Sequence, residues 1–237
     1  MHETEQGQAV RARAKTHAVA ATPVPADRAL RVCAIGALAA VLLFAAAALA
    51  LQFARADLDW VRTPLSFYLI GPYGPWLQAA YCLLGVGMIV LSAGLYGALA
   101  PAARSAAPVL VFAMAAAALA VTAFAHTNVP GRAPTFEGWV HGTAAQAAFL
   151  WTTTAMLLQA WRFRGDPRWG ARFALAFCLA LACFAAIWVL SLWRSAPRGL
   201  TQKVVIAMIV CWLSMAGAWL WQARPAMRPG AAGKGAR

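Results

Sequence analysis

The sequence predicts an all-α, polytopic membrane protein: six transmembrane helices in one bundle, with a short interfacial helix or turn between the first and second. Three observations carry this prediction. Apolar residues make up 62% of the 237-residue chain and charged residues only 11%, whereas a water-soluble domain is roughly 45 to 50% apolar. Six apolar runs, at about 30 to 53, 75 to 99, 107 to 125, 139 to 161, 172 to 193 and 204 to 223, approach the roughly 20 residues that a helix needs to cross a bilayer. None carries Asp, Glu, Lys or Arg away from its ends, as burial in hydrocarbon demands.

The elements follow in chain order. Residues 1–29 lack apolar periodicity and read as a disordered cytoplasmic tail. The first run is too long and too far from the N-terminus for a cleaved signal peptide, so it reads as a span that stays. The pause that follows it, TPLSFYLIGPYGPW at 63–76, divides in two. Thr63 and Pro64 suggest the cap and first position of a helical turn carrying Phe67, Leu69 and Ile70 into the membrane interface. Pro72 and Gly74 suit the second and fourth positions of a tight turn before Trp76 opens the second span. Six spans thus occupy 30–223 as one transmembrane domain, and 224–237 reads as a second disordered tail.

Basic residues set the orientation, because translocating Lys and Arg is disfavoured. One side collects Arg11, Arg13, Lys15, Arg28 and Arg31, then Arg104, the Arg162 to Arg172 group, and the C-terminal Arg224, Arg228, Lys234 and Arg237. The other side collects a smaller set: Arg55, Arg62, Arg132, Arg194, Arg198 and Lys203. Both termini are therefore expected to be cytoplasmic, in the cell (inner) membrane. Trp60, Trp76, Trp139 and Trp193 fall at outer ends of spans, and Trp161, Trp169, Trp219 and Trp221 at inner ends, as interfacial anchors do. The net charge of +13 is spread between and outside the apolar runs. It therefore serves topology and lipid headgroups, and no nucleic-acid partner is expected. Five cysteines lie within apolar runs without metal or redox spacing and read as packing residues. No repeat suggests two transporter halves, and no intramembrane charge suggests ion coupling.

Polar side chains gather on the expected outer face. The first outer loop brings Asp57, Asp59, Arg62, Ser66 and Tyr68; the second brings His126, Asn128 and Arg132, leading into Glu137 and His141 of the fourth span. At 100° per residue, Glu137, Ala145, Ala148, Thr152, Ala155 and Gln159 all lie within about 40° of His141, so one face of that span is small or polar throughout. Such a face serves helix packing, with Thr152 and Gln159 bonding across to neighbours. It equally suits half of a ligand, proton or metal site completed by His126 and the first loop. Zinc would take three or four ligands, for which Glu137, His141, His126 and Asp57 or Asp59 have the right chemistry but no diagnostic spacing. Haem between His126 and His141 is a poor fit, because both lie near helix ends. Ser66 and His141 form a possible nucleophile and base, lacking a defined orienting acid. The sequence therefore names no cofactor.

The stretch PLSFYLIGPYGPWLQ at 64–78, a Gly-rich second span and GWVHG at 138–142 together resemble the domain of unknown function 998 family of multi-pass membrane proteins, over roughly 30–220. In that family pattern the third span ends in a Phe-Pro-x-Asp-like segment and the fourth opens with His-Gly-x-x-His. FAHTN and EGWVH stand here instead. Asn128 then occupies the place of an Asp, Glu137 that of the first His, and His141 matches the second. What the resemblance implies is a six-span fold, without a defined reaction. Two functions are compatible with these residues: a protein of the lipid bilayer that binds a small or lipid-like ligand, or a partner, at its extracytoplasmic end; or a membrane-embedded hydrolase, metal-dependent or not, using the His/Glu cluster.

Overall fold

The computed structural model of the chain describes residues 25–193 and 195–223. The expected tails lie outside the described residues, except that 25–29 already belong to the first helix. Six long helices form: α1 (Pro25–Ala54), α2 (Gly74–Ala98), α3 (Ala107–Phe124), α4 (Phe136–Arg164), α5 (Gly170–Leu192) and α6 (Arg198–Gln222). No strand occurs among the described residues. Each helix packs on its sequence neighbours, α6 closes back on α1, and α2 touches α6 across the ring. The loops alternate between two ends. Residues 55–73, 125–135 and the α5–α6 link lie at one; 99–106 and 165–169 lie at the other.

Small residues set the closest helix approaches. A Cβ at Gly87 of α2 would press into the Ala40 methyl of α1 at 2.5 Å, and one at Gly85 would lie 3.2 Å from Ala116 of α3. Close backbone approach of this kind is how helices associate in lipid, where burying apolar surface gains little. The large apolar residues left exposed, such as Leu42, Leu43 and Phe53 on α1 and Leu175 and Leu181 on α5, point away from the core and suit a lipid surround.

Five of the helices are long and apolar enough to cross a membrane; α4 is not apolar enough by the same measure. Of the six transmembrane helices expected from the sequence, all six are present as long helices and five meet that measure. The physical reason is visible on α4: His141, Thr152, Thr153 and Gln159 are buried against the other helices. Thr152 Oγ1 reaches the Met88 sulfur at 3.8 Å, as a packing face would. Gln159 differs from expectation, since its buried Nε2 has no hydrogen-bond partner.

Helix ends moved most at α6, which starts at Arg198 rather than 204. Pro197 precedes it, and the basic Arg198 and Lys203 had read as loop. The 63–76 stretch is also partly corrected. Its helical turn is a 3₁₀ segment, Leu65–Leu69, entered from Pro64 without a Thr63 side-chain cap. Leu65, Tyr68 and Leu69 are buried in the core rather than laid on an interface. The turn expected after it is present: Gly74 N–H donates to Gly71 O across Pro72 and Tyr73 at 3.1 Å. Gly71 has φ 103°, which favours glycine. Trp169 is not an interfacial anchor either, being 1% exposed.

Candidate functional site

The first loop is fastened to the start of α6. Gly199 N–H donates to Arg62 O at 3.2 Å and Leu200 N–H to Val61 O at 2.7 Å, so the loop satisfies donors that a helix N-terminus leaves open. Glycine is required at 199, where a Cβ would sit 2.6 Å from Thr63 O and 2.7 Å from Val61 O. Gln202 Oε1 accepts Leu65 N–H at 2.7 Å, and Lys203 Nζ donates to Trp60 O at 2.5 Å and Thr63 O at 3.1 Å. The same ammonium lies 5.2 Å from the Tyr68 ring centroid. Tyr68 is fully buried with its hydroxyl unpartnered, and burial pushes its phenol pKa up.

The acids of this loop serve the loop. Asp57 takes two hydrogen bonds from the Arg55 guanidinium, at 2.8 and 2.7 Å, which hold its carboxyl below the ordinary range. Arg55 also donates to Ile70 O at 2.8 Å, tying the two ends of the loop together. Asp59 Oδ1 accepts Val61 N–H at 2.8 Å and Arg62 N–H at 3.2 Å.

The second loop is fastened to α4 in the same manner. Thr135 caps that helix, its Oγ1 accepting Gly138 N–H at 3.0 Å, and Asn128 Oδ1 in turn accepts from Thr135 N and Oγ1 at 2.9 and 3.1 Å. Any side chain at Gly138 would collide with Asn128. Glu137 Oε1 accepts His126 N–H at 2.9 Å and lies 2.5 Å from His126 Nδ1. These bonds, the backbone one first, hold the Glu137 carboxyl below its usual range. His141 is buried and its Nδ1 lies 2.8 Å from Ala125 O. A carbonyl can only accept, so Nδ1 donates its proton in this contact.

Between the two loops opens a vestibule of about 1090 Å³ whose walls include Arg62, Ser66, Asn128, His141, Gln146, Arg198 and Gln202. A second, narrower cavity of about 70 Å³ runs into the bundle, walled by Phe44, Leu84, Met88, Leu119, Ile206 and Ile209 with Tyr81 and Thr152. Ser66, Ala145, Phe149 and Gln202 line both, so the vestibule and the apolar slot lie against each other at these four residues.

Of the residues singled out from sequence, Ser66, Asn128 and His141 thus share the vestibule wall, while His126 and Glu137 pair on the exposed rim. Asp57 and Asp59 are turned to their own loop, and Tyr68 is enclosed beneath it. No group of three or more His, Cys, Asp or Glu side chains among the described residues is placed to hold a metal ion, so the mixed zinc set weighed above is not assembled. Sequence reasoning missed Gln202 and Phe149, whereas Ala145 had been placed on the small or polar face of the fourth span. Gln202 carried a signal, as a polar residue four positions into a helix whose start had been placed too late.

The fold and its exposed apolar belt define a multi-pass membrane protein built only from helices. The family described as Protein of unknown function (DUF998) matches residues 38–219, and the chain belongs to that family. No curated protein and no solved structure matches the chain.

Proposed function

We propose that the protein is a six-span protein of the cell (inner) membrane that binds a small, lipid-like amphiphile at the extracytoplasmic end of its bundle, with both termini cytoplasmic. The observation that carries the reading is a wide vestibule with polar groups on its wall set against a narrow apolar slot, with Ser66, Ala145, Phe149 and Gln202 lining both. Such a shape offers water-facing hydrogen-bond groups to a head and hydrocarbon walls to a tail. The sixth span is α4. Its 29 residues reach about 43 Å at 1.5 Å per residue, beyond a hydrocarbon core of roughly 30 Å. Its His141, Thr152, Thr153 and Gln159 are buried within the bundle, so part of its polarity is kept from the lipid face.

The test is displacement of a fluorescent fatty acid from detergent-purified protein. Ala145→Phe adds bulk where the two cavities adjoin, at a half-buried position. Wild-type protein is expected to bind the probe with saturation, and the variant to lose at least tenfold in affinity while keeping its melting temperature. Equal binding by both would exclude the slot. Placement of a reporter fused at residue 130 in the cytoplasm would reverse the orientation.

The hydrolase reading has one point in its favour, that Ser66 and His141 line the same vestibule. Among the described residues no hydrogen bond joins them, and the partner of His141 Nδ1 is a neutral carbonyl where a triad would set a carboxylate. Glu137 is committed to His126. Binding is therefore the better-supported function.

A further inference from the structure

We infer that the ligand is an acyl lipid whose carbonyl oxygen is held at the border of the two cavities by the side-chain amide of Gln202, with the Ser66 hydroxyl beside it. This rests on the reading of the adjoining cavities as an amphiphile site and adds the chemistry that joins the ligand's head to its tail.

The orientation of the Gln202 amide is fixed by its partner. Leu65 N–H can only donate, so the atom it reaches at 2.7 Å is the amide oxygen. Nε2 is therefore a donor, and it makes no hydrogen bond among the described residues. Nor is it sealed in protein. The buried side-chain atoms without a partner belong, among the described residues, to Asp27, Gln52, Tyr68, Gln159 and Arg162. The amide nitrogen of half-buried Gln202 thus keeps a surface that a ligand can reach. Ser66, next in the chain to Leu65, stands likewise: half-buried, its hydroxyl neither bonded among the described residues nor sealed. Both residues line the vestibule and the slot.

The surroundings of these two donors select the acceptor. Among the described residues no Asp, Glu, Lys, Arg or His lines the slot, so it suits the tail of an amphiphile and leaves the head in the vestibule. Ala145 and Phe149, the other residues common to both cavities, carry no hydrogen-bonding side chain. Further in, Thr122 Oγ1 donates to Ala118 O at 2.8 Å and Thr152 Oγ1 is set on the Met88 sulfur at 3.8 Å. An amphiphile lying across the border therefore meets open donors where its head joins its tail. In an acyl lipid that junction is a carbonyl, which only accepts, and leaving a partly buried amide donor unmet beside apolar chain is costly.

Gln202→Glu isolates the donor. One carboxylate oxygen still accepts Leu65 N–H, and the other sets an acceptor where Nε2 stood. The full chain in a neutral detergent is titrated at pH 8, which keeps the new carboxyl ionised, with radiolabelled methyl palmitate, hexadecanol and octadecane as probes. Wild-type protein is expected to bind the ester at least tenfold tighter than octadecane. Gln202→Glu is expected to keep its melting temperature and to lose at least tenfold in affinity for the ester. Hexadecanol, whose O–H can donate to the carboxylate, should change by less than about threefold. Ser66→Ala should weaken the ester about threefold and leave octadecane unchanged, and it decides the question if Gln202→Glu melts early. An ester affinity untouched by both variants, or a loss shared equally by all three probes, overturns the carbonyl assignment and leaves the slot standing. A loss confined to Tyr81→Phe would move the polar contact to the Tyr81 hydroxyl of the slot and overturn it likewise. Failure of every probe to bind would remove both this inference and the function proposed above.

Discussion

The two ends of the bundle use similar residues to opposite effect. At the end formed by 99–106 and 165–169, arginine and aspartate are turned inward to close the structure. Arg104 donates to Leu99 O and Gly97 O, each at 3.0 Å. Arg168 donates to Ala98 O at 2.6 Å, and Asp166 Oδ2 accepts Ala100 N–H at 2.7 Å. The open carbonyls at the C-terminus of α2 are thereby satisfied by side chains from two loops. Phe163 stacks on Trp169 at 4.8 Å, and Arg172 lies 4.7 Å above the same indole. At the other end the first loop is fastened across the bundle to the start of α6 and the second to the start of α4, and no hydrogen bond among the described residues joins one loop to the other. The vestibule occupies the space between them. Polar groups therefore close an end where they bond one loop to the other, and leave it open where each loop is bonded elsewhere.

The largest expected effect lies at the closed end. Asp166 is 1% exposed and accepts three hydrogen bonds, from Ala100 N, Arg168 N and the Arg168 guanidinium. Asp166→Ala strands two backbone donors and takes one acceptor from the Arg168 guanidinium, and is expected to cost about 3 kcal/mol in stability, read as a fall in melting temperature of detergent-purified protein. Arg62→Ala at the open end is the control, expected to leave the transition where it was. Burial raises the carboxyl pKa of Asp166, but those three bonds outweigh it and the net shift is downward. A lowered folded-state pKa means the carboxylate contributes fully above its ordinary range near pH 4. That contribution is lost as pH falls through the lowered value. Acid sensitivity of the wild type should therefore exceed that of Asp166→Ala below pH 4.

Next come the fastenings of the open end. Gln202→Leu keeps volume but leaves Leu65 N–H without its acceptor, with an expected loss of roughly 1 to 2 kcal/mol. Because Gln202 also lines both cavities, probe affinity should fall in the same variant. A variant that unfolds as early as Asp166→Ala would contradict the division between the two ends. Thr135→Ala removes a helix cap and is expected to cost about 1 kcal/mol, measured by the same melting experiment.

Much of this fold was legible because hydrophobic length is a strong signal: six runs became six helices, with most ends displaced by only a few residues. The buried face of α4 was equally legible, since a 3.6-residue period puts His141, Thr152 and Gln159 on one line and the structure buries all three. What escaped was set by contacts across elements. Asp166 lies among arginines in a short loop and was not singled out from the sequence, because one of its donors comes from a segment 66 residues away. Lys203 looked like the edge of a loop and proved helical, its charge absorbed by carbonyls of 60 and 63. Ser66, Asn128 and His141 were expected to lie on one side of the bundle. The slot behind them was invisible to any local pattern, because its walls come from Phe44 on α1, Leu84 on α2, Leu119 on α3, Phe149 on α4 and Ile206 on α6.

The smallest effect is expected at Glu137 and His126, two of the polar residues singled out from the sequence. Glu137 and His126 stand half-exposed on the rim, with side-chain exposures of 52% and 63%, and solvent screens an ion pair in that position. Their carboxylate still takes a backbone N–H from the loop that precedes α4, so Glu137→Gln keeps an oxygen acceptor there and removes only the charge. Melting temperature should be unchanged within error at pH 7. The folded-state pKa of Glu137 is lowered, so whatever the pair contributes is present above the ordinary carboxylate range and fades as pH drops through it; wild type and variant should therefore converge in acid. A large stability loss in Glu137→Gln at neutral pH would mean that the rim pair bridges loops as Asp166 does, and the open end would have to be counted as a second closure.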